Sequence, residues 1–357
     1  MMRIRKKIYE IDKIFDKVSR SFPFSTVTPL NVNRIKNDFF KKKLRNPILN
    51  YEDPSGDLLK LRREVSAIKI DEKDILDTLI IEKQEDLIKK IDLFNSIGCY
   101  DFSERSIKLY GTPDRRLVKK AYDILEKPKV KSPKSKYIDS KKVIKLLKEN
   151  FEKYGFDYKI RRGSLVGACD IEPSKHKIVL RKRARFSRRH INKLIVHEIG
   201  VHTFRYENAV RNKLKIFAHG LKDYLGTEEG LALYIEEKYG LINSLRIPAG
   251  HVIAVYLSQT NSFYDVYRNL RKYFDKNTSF KLTIRAKRGL YDTSQPGGYT
   301  KDYLYLKGYF DVKRFFSKGG SMKDLYMGKI GIKDIPYIKK LGLKKPKYIP
   351  AEFILAD

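Results

Sequence analysis

Two histidines and an adjacent glutamate in the stretch LIVHEIGVHTFRYEN, residues 194–208, are the side chains best placed to do chemistry in this chain. Imidazole nitrogens bind zinc, and a catalytic zinc site keeps three protein ligands and one open position. A glutamate beside such a site can take a proton from water as that water attacks a carbonyl group. His197 and His202 are therefore candidate zinc ligands, and Glu198 is the candidate base.

The spacing of the two histidines requires a distorted helix. The common metalloprotease pattern is H-E-x-x-H, with its histidines at i and i+4 on one helical face, but His197 and His202 stand at i and i+5. Five residues of a regular α-helix turn through about 500°, which would leave the two side chains about 140° apart. A π-bulge adds one residue to a turn and restores a common face. The sequence predicts such a bulge around Gly200.

A third ligand is expected from the following helix. The segment GTEEGLA, residues 226–232, places Glu228 and Glu229 in the first turn of that helix. Acidic residues in a first turn are also favoured by the helix dipole alone. Beside the histidine pair, however, the segment is similar to glutamate-zinc peptidases, in which a glutamate on the next helix binds the metal. Glu229 is the predicted third ligand.

The segments HEIGVH and EEGLA resemble the motifs of the QEGLA-motif family, an extended group whose animal members are the tubulin tyrosine carboxypeptidases. The resemblance implies that His197, His202 and Glu229 bind Zn²⁺ and that Glu198 is the catalytic base. The family name implies Gln at the position of Glu228, which here adds a charge beside the metal. Five further stretches extend the similarity from about residue 20 to the end: TPLNVNRIKNDFF (28–40), SIKLYGTPD (106–114), IRAKRGLYDT (284–293), YTKDYLYLKG (299–308) and LYMGKI (325–330).

A carboxypeptidase must also bind a terminal carboxylate, which the planar guanidinium of Arg does best. Arg288 and Lys301 are candidates because they lie in stretches that resemble the family, and Arg205 is a candidate because it closely follows His202. Tyr299 is a candidate to polarise the carbonyl or to line a side-chain pocket. The alternative is a solvated cation for each basic residue, since the chain has 77 Lys and Arg, and ordinary packing for the tyrosine.

The elements that must position these residues follow from periodicity and turn signals. Apolar spacing predicts a helical N-terminal region, residues 1–130, and the Lys- and Pro-rich stretch 126–140 is the predicted junction to a zinc metallopeptidase core, residues 136–357. The segments DYKIRRG, SLVGACDIE, HKIVLRKRARF and KLTIRAKRGL (281–290) are predicted strands. Ser187 is the predicted N-cap of the histidine helix. The predicted fold is α+β, with a zincin-like core of a small sheet and two active-site helices.

The charge of the chain suits an acidic partner. Lys and Arg outnumber Asp and Glu by 77 to 43, a formal net charge of +34, which favours association with an acidic peptide or with nucleic acid. The alternative is that the charge reflects composition, because the lysines are spread over the whole chain. The densest basic run, RKRARFSRR (181–189), precedes the histidine motif. The strand HKIVLRKRARF is expected to be the sheet edge to which an extended acidic substrate adds.

Several function classes are disfavoured by composition. No apolar run is long enough to span a membrane, and the N-terminus has no apolar segment typical of a signal peptide. Cys99 and Cys169 are the two cysteines and have no metal-ligand spacing, which argues for a reducing, cytoplasmic setting.

The predicted function is a zinc metallocarboxypeptidase that removes a C-terminal residue, with aromatic residues among the options, from a peptide or protein tail. An endopeptidase, which would lack the carboxylate clamp, is one alternative. A non-catalytic regulatory or nucleic-acid-binding protein that retains the zinc fold is another, less favoured one. Glu198 favours an enzyme, because a purely structural zinc site has no use for a base.

Overall fold

Helices make up most of the part of the chain that the structure describes, and the few strands there form two small sheets, so the predicted α+β class is confirmed. The computed structural model describes residues 4–53, 57–128, 137–163, 169–182, 185–242, 244–351, 353 and 355. The chain divides into two compact units: unit 1 comprises residues 1–16, 130–243 and 308–357, and unit 2 comprises residues 17–129 and 244–307. Most of the predicted junction, residues 129–136, lies outside the described residues.

The helices are α1 (Lys6–Arg20), α2 (Val32–Phe40), α3 (Asp57–Ser66), α4 (Ile75–Asn95), α5 (Phe102–Tyr110), α6 (Arg115–Glu126), α7 (Ser140–Lys153), α8 (Arg188–Leu194), α9 (Phe204–Val210), α10 (Ile216–His219), α11 (Tyr224–Lys238), α12 (Arg246–Ser258), α13 (Phe263–Leu270), α14 (Lys276–Lys287), α15 (Leu304–Ser317), α16 (Met322–Leu325) and α17 (Ile335–Leu341). A π-helix, Ile195–Thr203, joins α8 to α9. Within the described residues, each helix is too short or too polar to cross a membrane.

Both sheets belong to unit 1. Strand β1 (Tyr137–Ile138) pairs antiparallel with β5 (Phe186–Ser187). The second sheet has the order β2 (Lys159–Gly163), β4 (Lys177–Arg181), β3 (Cys169–Glu172), with β2 parallel and β3 antiparallel to β4. These three strands confirm three of the four predicted strand segments, although residues 164–168 lie outside the described residues.

The expectation that HKIVLRKRARF offers a free sheet edge is wrong. Strand β4 is the central strand, with Lys177 opposite Lys159 on one side and opposite Glu172 on the other. Its backbone N–H and C=O groups are therefore used by neighbouring strands on both sides, and an added peptide strand has no place beside it. Residues 183 and 184 of the basic run lie outside the described residues.

The fourth predicted strand, KLTIRAKRGL, is also wrong, because this segment belongs mainly to α14. Asp275 caps the helix: its carboxylate accepts from the N–H groups of Asn277 and Thr278 at 2.9 and 3.1 Å. Most of the helix surface is buried in unit 2, and α14 packs against α12 and α13. The buried face of α14 is broad and includes the polar Thr283 and Lys287, whereas Lys281 on the other side is exposed. Apolar and polar residues therefore alternate along this segment as they would in a strand.

A lysine is buried within α4 of unit 2. The side chain of Lys83 is 1% exposed, and its amino group lies 3.4 Å from Asp86, whose carboxylate also pairs with Lys90 at 2.6 Å. Burial and repulsion by Lys90 outweigh the attraction of Asp86 and lower the pKa of Lys83 to about 7. The folded state therefore carries an energetic cost for holding this ammonium group.

Lys83→Met is expected to raise the free energy of unfolding by about 1–4 kcal/mol near pH 6, because it removes a buried ammonium group whose pKa is lowered by burial and leaves Asp86 paired with Lys90. In the unfolded chain a lysine keeps its proton up to about pH 10.4. The cost in the folded state is thus greatest below about pH 7 and declines as the pH rises towards 10. The difference in free energy of unfolding between Lys83→Met and the unaltered chain should therefore decrease as the pH rises from about 7 to about 10.

Urea unfolding at about pH 6 and about pH 9.5 tests this expectation. Lys89→Met is the matched control, because Lys89 is an exposed neighbour on the same helix. A Lys83→Met protein less stable than the unaltered chain at pH 6 would show that Asp86 needs both lysines.

Candidate metal centre

The two histidines lie on the π-helix that their spacing predicts. The N–H of Phe204 donates to the carbonyl oxygen of Ile199, five residues earlier, which is the i→i+5 bond of a π-helix. The hydroxyl of Thr203 donates to the carbonyl oxygen of Glu198, also five residues earlier, at 3.0 Å. The predicted bulge around Gly200 is confirmed.

Side chains of unit 1 enclose the bulge at Gly200. The Tyr326 hydroxyl donates to the Gly200 carbonyl oxygen at 2.8 Å. A Cβ atom built on Gly200 would lie 2.6 Å from Cζ of Phe353, so the absence of a side chain lets this ring approach the backbone. Upstream, Ser187 caps α8 as predicted, with its hydroxyl accepting from the N–H of His190 at 3.3 Å.

The π-helix places both imidazoles on one face, opposite a glutamate of α11. The ring centroids of His197 and His202 are 5.0 Å apart. Oε2 of Glu229 lies 3.7 Å from Nε2 of His197 and 3.9 Å from Nε2 of His202. One ligand atom from each of the three side chains falls within 4.8 Å of the other two. The predicted ligands therefore converge on one small volume.

A different carboxylate lies at Nδ1 of each imidazole, on the side away from Glu229, and orients the ring. Nδ1 of His197 lies 2.8 Å from Oε1 of Glu236, and Nδ1 of His202 lies 2.7 Å from Oε1 of Glu228. An ionised carboxylate only accepts hydrogen bonds, so each Nδ1 must carry the proton. In the neutral imidazole, the form that binds a metal, the lone pair is then on Nε2, on the side that faces Glu229. This is the tautomer that a metal-binding histidine needs.

Cations keep these two carboxylates ionised. Lys193 pairs with Glu236 at 3.0 Å, while Glu228 pairs with Arg205 at 2.8 Å and Lys329 at 2.9 Å. Burial alone would raise the pKa of Glu228, but Lys329, His202 and Arg205 together hold that pKa well below its usual range. In Glu236 the same balance also lowers the pKa, through His197 and Lys193.

The electrostatics of the cluster favour a bound cation. Burial lowers the pKa of His197, yet the carboxylates of Glu229, Glu236 and Glu198 raise it well above its ordinary value. Negative charge thus surrounds the space between the three predicted ligands. Two imidazole nitrogens and one carboxylate oxygen are the ligand set of many catalytic zinc sites, whereas Ca²⁺ and Mg²⁺ prefer oxygen alone. The residues present therefore fit a zinc ion.

Arg205, predicted to bind substrate, is placed in the interior of unit 1. Its side chain is fully buried. Beyond its bond to Glu228, Nε donates to the carbonyl oxygen of Leu325 at 2.9 Å and Nη2 donates to that of Ile330 at 2.6 Å. This placement favours a role in holding Glu228 over contact with a substrate.

The other predicted substrate-binding residues belong to unit 2. The guanidinium of Arg288 lies over the ring of Tyr299, 4.7 Å from its centroid. Nη2 of Arg288 lies 3.3 Å from Oδ1 of Asp302, a buried carboxylate that Arg285 also binds at 2.6 and 2.8 Å. Lys301 begins a short 3₁₀ turn, Lys301–Tyr303. Arg288 and Tyr299 are thus in direct contact, and Asp302 orients Arg288.

Comparison with known proteins identifies the family. A family model described as microtubule-associated tyrosine carboxypeptidase, MATCAP, matches residues 37–356. The chain belongs to the MATCAP family. The match confirms the relation to the tubulin tyrosine carboxypeptidases that the two motifs and the five further stretches indicate.

Curated MATCAP relatives share part of their length with this chain. MATCAP2 of Mus musculus is 31% identical over 162 residues, which are 44% of this chain and 31% of the relative. MATCAP2 of Homo sapiens is 30% identical over the same length. Microtubule-associated tyrosine carboxypeptidase 1 of Mus musculus is 28% identical over 162 residues, 35% of its length. The matched stretch spans about a third of these relatives.

The sequence of this MATCAP-family chain did not predict the structural roles of four residues around the metal centre: Glu236, Lys193, Glu228 and Lys329. Glu236 lies two helical turns after Glu229 on the same face of α11, so helical periodicity alone could have indicated it. Lys193 lies about one turn before His197 and is a comparable local signal. For Glu228 the sequence indicates an added charge beside the metal, but not the bond to His202. No local pattern connects Lys329 to the site.

Proposed function

We propose that the protein is a zinc-dependent carboxypeptidase that removes the C-terminal residue of a peptide or protein tail. The observation that carries the proposal is the convergence of His197, His202 and Glu229, with Glu198 on the same π-helix. Membership of the MATCAP family supports cleavage at the C-terminus, and the names of the relatives favour tyrosine as the residue removed.

His197 and His202 would hold the zinc ion through Nε2, and Glu229 would hold it through a carboxylate oxygen. A zinc ion bound there supplies Lewis-acid polarisation of the scissile carbonyl and lowers the pKa of water. Glu198 takes the proton from the attacking water and passes it to the leaving amine. Glu228 and Glu236 keep both imidazoles in the Nδ1–H tautomer during the reaction.

The terminal carboxylate requires a cation, and Arg288 is our preferred candidate. Its contact with Tyr299 and its bond to Asp302 hold the guanidinium in one orientation, which reduces the entropy lost on binding a carboxylate. Lys301 and Tyr299 are further candidates for substrate binding. The description of the family and of one relative as microtubule-associated favours a protein tail over nucleic acid as the binding partner. It also favours a cytoplasmic setting.

The test is mass spectrometry of a C-terminally diverse peptide library incubated with the zinc-loaded protein. Loss of single C-terminal residues, with tyrosine enriched among them, is the expected result. Internal cuts would instead indicate an endopeptidase. Intact peptides after incubation with protein shown to hold zinc would support the non-catalytic alternative.

Acidic peptides are expected to be better substrates than neutral ones at low salt. A formal net charge of +34 attracts an acidic tail and can raise association rates by about 10-fold or more. The attraction is screened over roughly 8–10 Å at physiological ionic strength. The catalytic efficiency on acidic peptides should therefore fall steeply as salt is added, while the efficiency on neutral peptides changes little.

Matched peptides that differ only in Glu and Gln before the terminus, assayed at low and high salt, measure this difference. Parallel salt dependence for the two peptides would show that the charge of the chain reflects composition and does not select substrates.

A further inference from the structure

The carboxylate behind His202, Glu228, pairs with two largely buried cations, whereas the carboxylate behind His197 pairs with one more exposed lysine. Glu228 is buried, and its two flanking cations are also largely withdrawn from solvent: Arg205 is 0% exposed and Lys329 is 11% exposed. Glu236, behind His197, relies instead on Lys193, which is 35% exposed. An ion pair in a buried setting is less screened and holds its geometry more firmly than an exposed one.

The cations on Glu228 are tied to one segment of the chain, LYMGKI, residues 325–330. Arg205 donates to the carbonyl oxygens of Leu325 and Ile330 at the two ends of this segment. Lys329 belongs to it, and its backbone N–H donates to the carbonyl oxygen of Phe217 at 2.8 Å. Tyr326, also in this segment, donates to the carbonyl oxygen of Gly200 in the π-helix. The segment thus supports both the bulge and the carboxylate behind His202.

We infer that Glu228, held by Arg205 and Lys329, is the positioning residue of His202, and that residues 325–330 act on the metal centre through it. This inference rests on the proposed function, because it assumes that His202 is a zinc ligand. The inference gives residues 325–330, which take no part in the proposed catalytic steps, the role of holding Glu228 in place.

Glu228 can satisfy all of its partners because both oxygens of its ionised carboxylate accept hydrogen bonds. Its Oε1 accepts from Nδ1 of His202 and from Lys329, while its Oε2 accepts from Arg205. A glutamine here, as the family name implies, has one accepting oxygen and one donating NH₂ group. If the oxygen faces His202, the NH₂ group meets the donors of Arg205; if the amide turns, it meets Nδ1–H and Lys329. Either way a buried donor loses its acceptor.

Zinc affinity, measured by competition with a chromophoric chelator, tests the inference. Glu228→Gln is expected to bind zinc about 10–100-fold more weakly than the unaltered chain, the usual effect of removing a partner of a metal-binding histidine. Lys329→Met should weaken binding by a smaller factor. The double variant should resemble Glu228→Gln alone, because Lys329 acts through Glu228. The visible spectrum of the cobalt-loaded protein should change in Glu228→Gln, because the orientation of an imidazole ligand changes.

Glu237→Gln is the matched control, since Glu237 lies on the same helix but binds Tyr309 and Lys313 on a more exposed face. Equal zinc affinity and an unchanged cobalt spectrum in Glu228→Gln would overturn the inference and leave the proposed function standing. If Glu228→Gln does not fold, Lys329→Met is the test, because this variant retains the ion pair of Glu228 and Arg205. Zinc affinity equal to that of the unaltered chain in Lys329→Met would then overturn the inference. Failure of the unaltered chain to bind zinc would overturn the proposed function itself.

Discussion

Glu198→Gln is expected to lose peptide hydrolysis by a factor of about 10²–10⁴ while it keeps its zinc. The amide has nearly the shape of the carboxylate but cannot accept a proton from water at neutral pH. Glu198 is not one of the three converging ligands, so metal binding should be preserved. The measurement is kcat/KM on a tyrosine-terminated peptide, together with the zinc content of the same preparation.

The control for this substitution is again Glu237→Gln, which changes the charge by the same amount on the neighbouring helix and should retain full activity. Full activity in Glu198→Gln would contradict the assignment of the base. Loss of both zinc and activity would instead place Glu198 among the groups that hold the metal.

Replacing both histidines, His197→Ala with His202→Ala, is expected to reduce the zinc content from about one ion per chain to almost none. Of the three predicted ligands, Glu229 alone would remain, and a lone carboxylate holds zinc weakly. Activity should be lost to the same extent. Elemental analysis after dialysis against a mild chelator gives the stoichiometry.

The matched control for the histidine variants is His176→Asn. His176 also belongs to unit 1, but its side chain is 53% exposed, and its backbone has a positive φ of 45°, which Asn tolerates better than Ala. Zinc retention in the double histidine variant at the level of the unaltered chain would move the metal to a different site.

Local patterns in the sequence were sufficient to predict the central distortion of the site. The i, i+5 spacing of His197 and His202 predicts a π-bulge because two side chains on one face need an added residue between them, and the π-helix Ile195–Thr203 has it. The N-cap at Ser187 likewise depends on a hydroxyl and an N–H group three residues apart. Both features are set within about two helical turns of the chain.

Features that depend on tertiary environment were not predictable in the same way. Leu282, Ile284 and Ala286 alternate with polar residues as in a strand, yet they lie on the broad buried face of a helix, α14, together with Thr283 and Lys287. The cap at Asp275 was the local signal that favoured a helix. The central place of β4 depends on β2 and β3 pairing to either side, and its own residues do not encode that order.

The same distinction applies to the site. Glu229 could be inferred from the EEGLA segment that follows the histidine motif, although α11 begins at Tyr224, so Glu228 and Glu229 lie in its second turn and not in the expected first turn. The partners of Glu228 come from two other parts of the chain. Arg205 closely follows His202, where its position suggested contact with substrate, and only the fold shows that its side chain is enclosed beside Glu228. Lys329 reaches Glu228 across 101 residues of sequence, a contact that one sequence does not reveal.

Anomalous X-ray diffraction at the zinc absorption edge, from crystals of the purified protein, would locate the zinc ion that we propose His197, His202 and Glu229 hold. We expect one strong anomalous peak about 2.0–2.2 Å from Nε2 of each histidine and from a carboxylate oxygen of Glu229. A peak ligated by other residues, or a fully occupied site that excludes any one of these three side chains, would contradict this proposal.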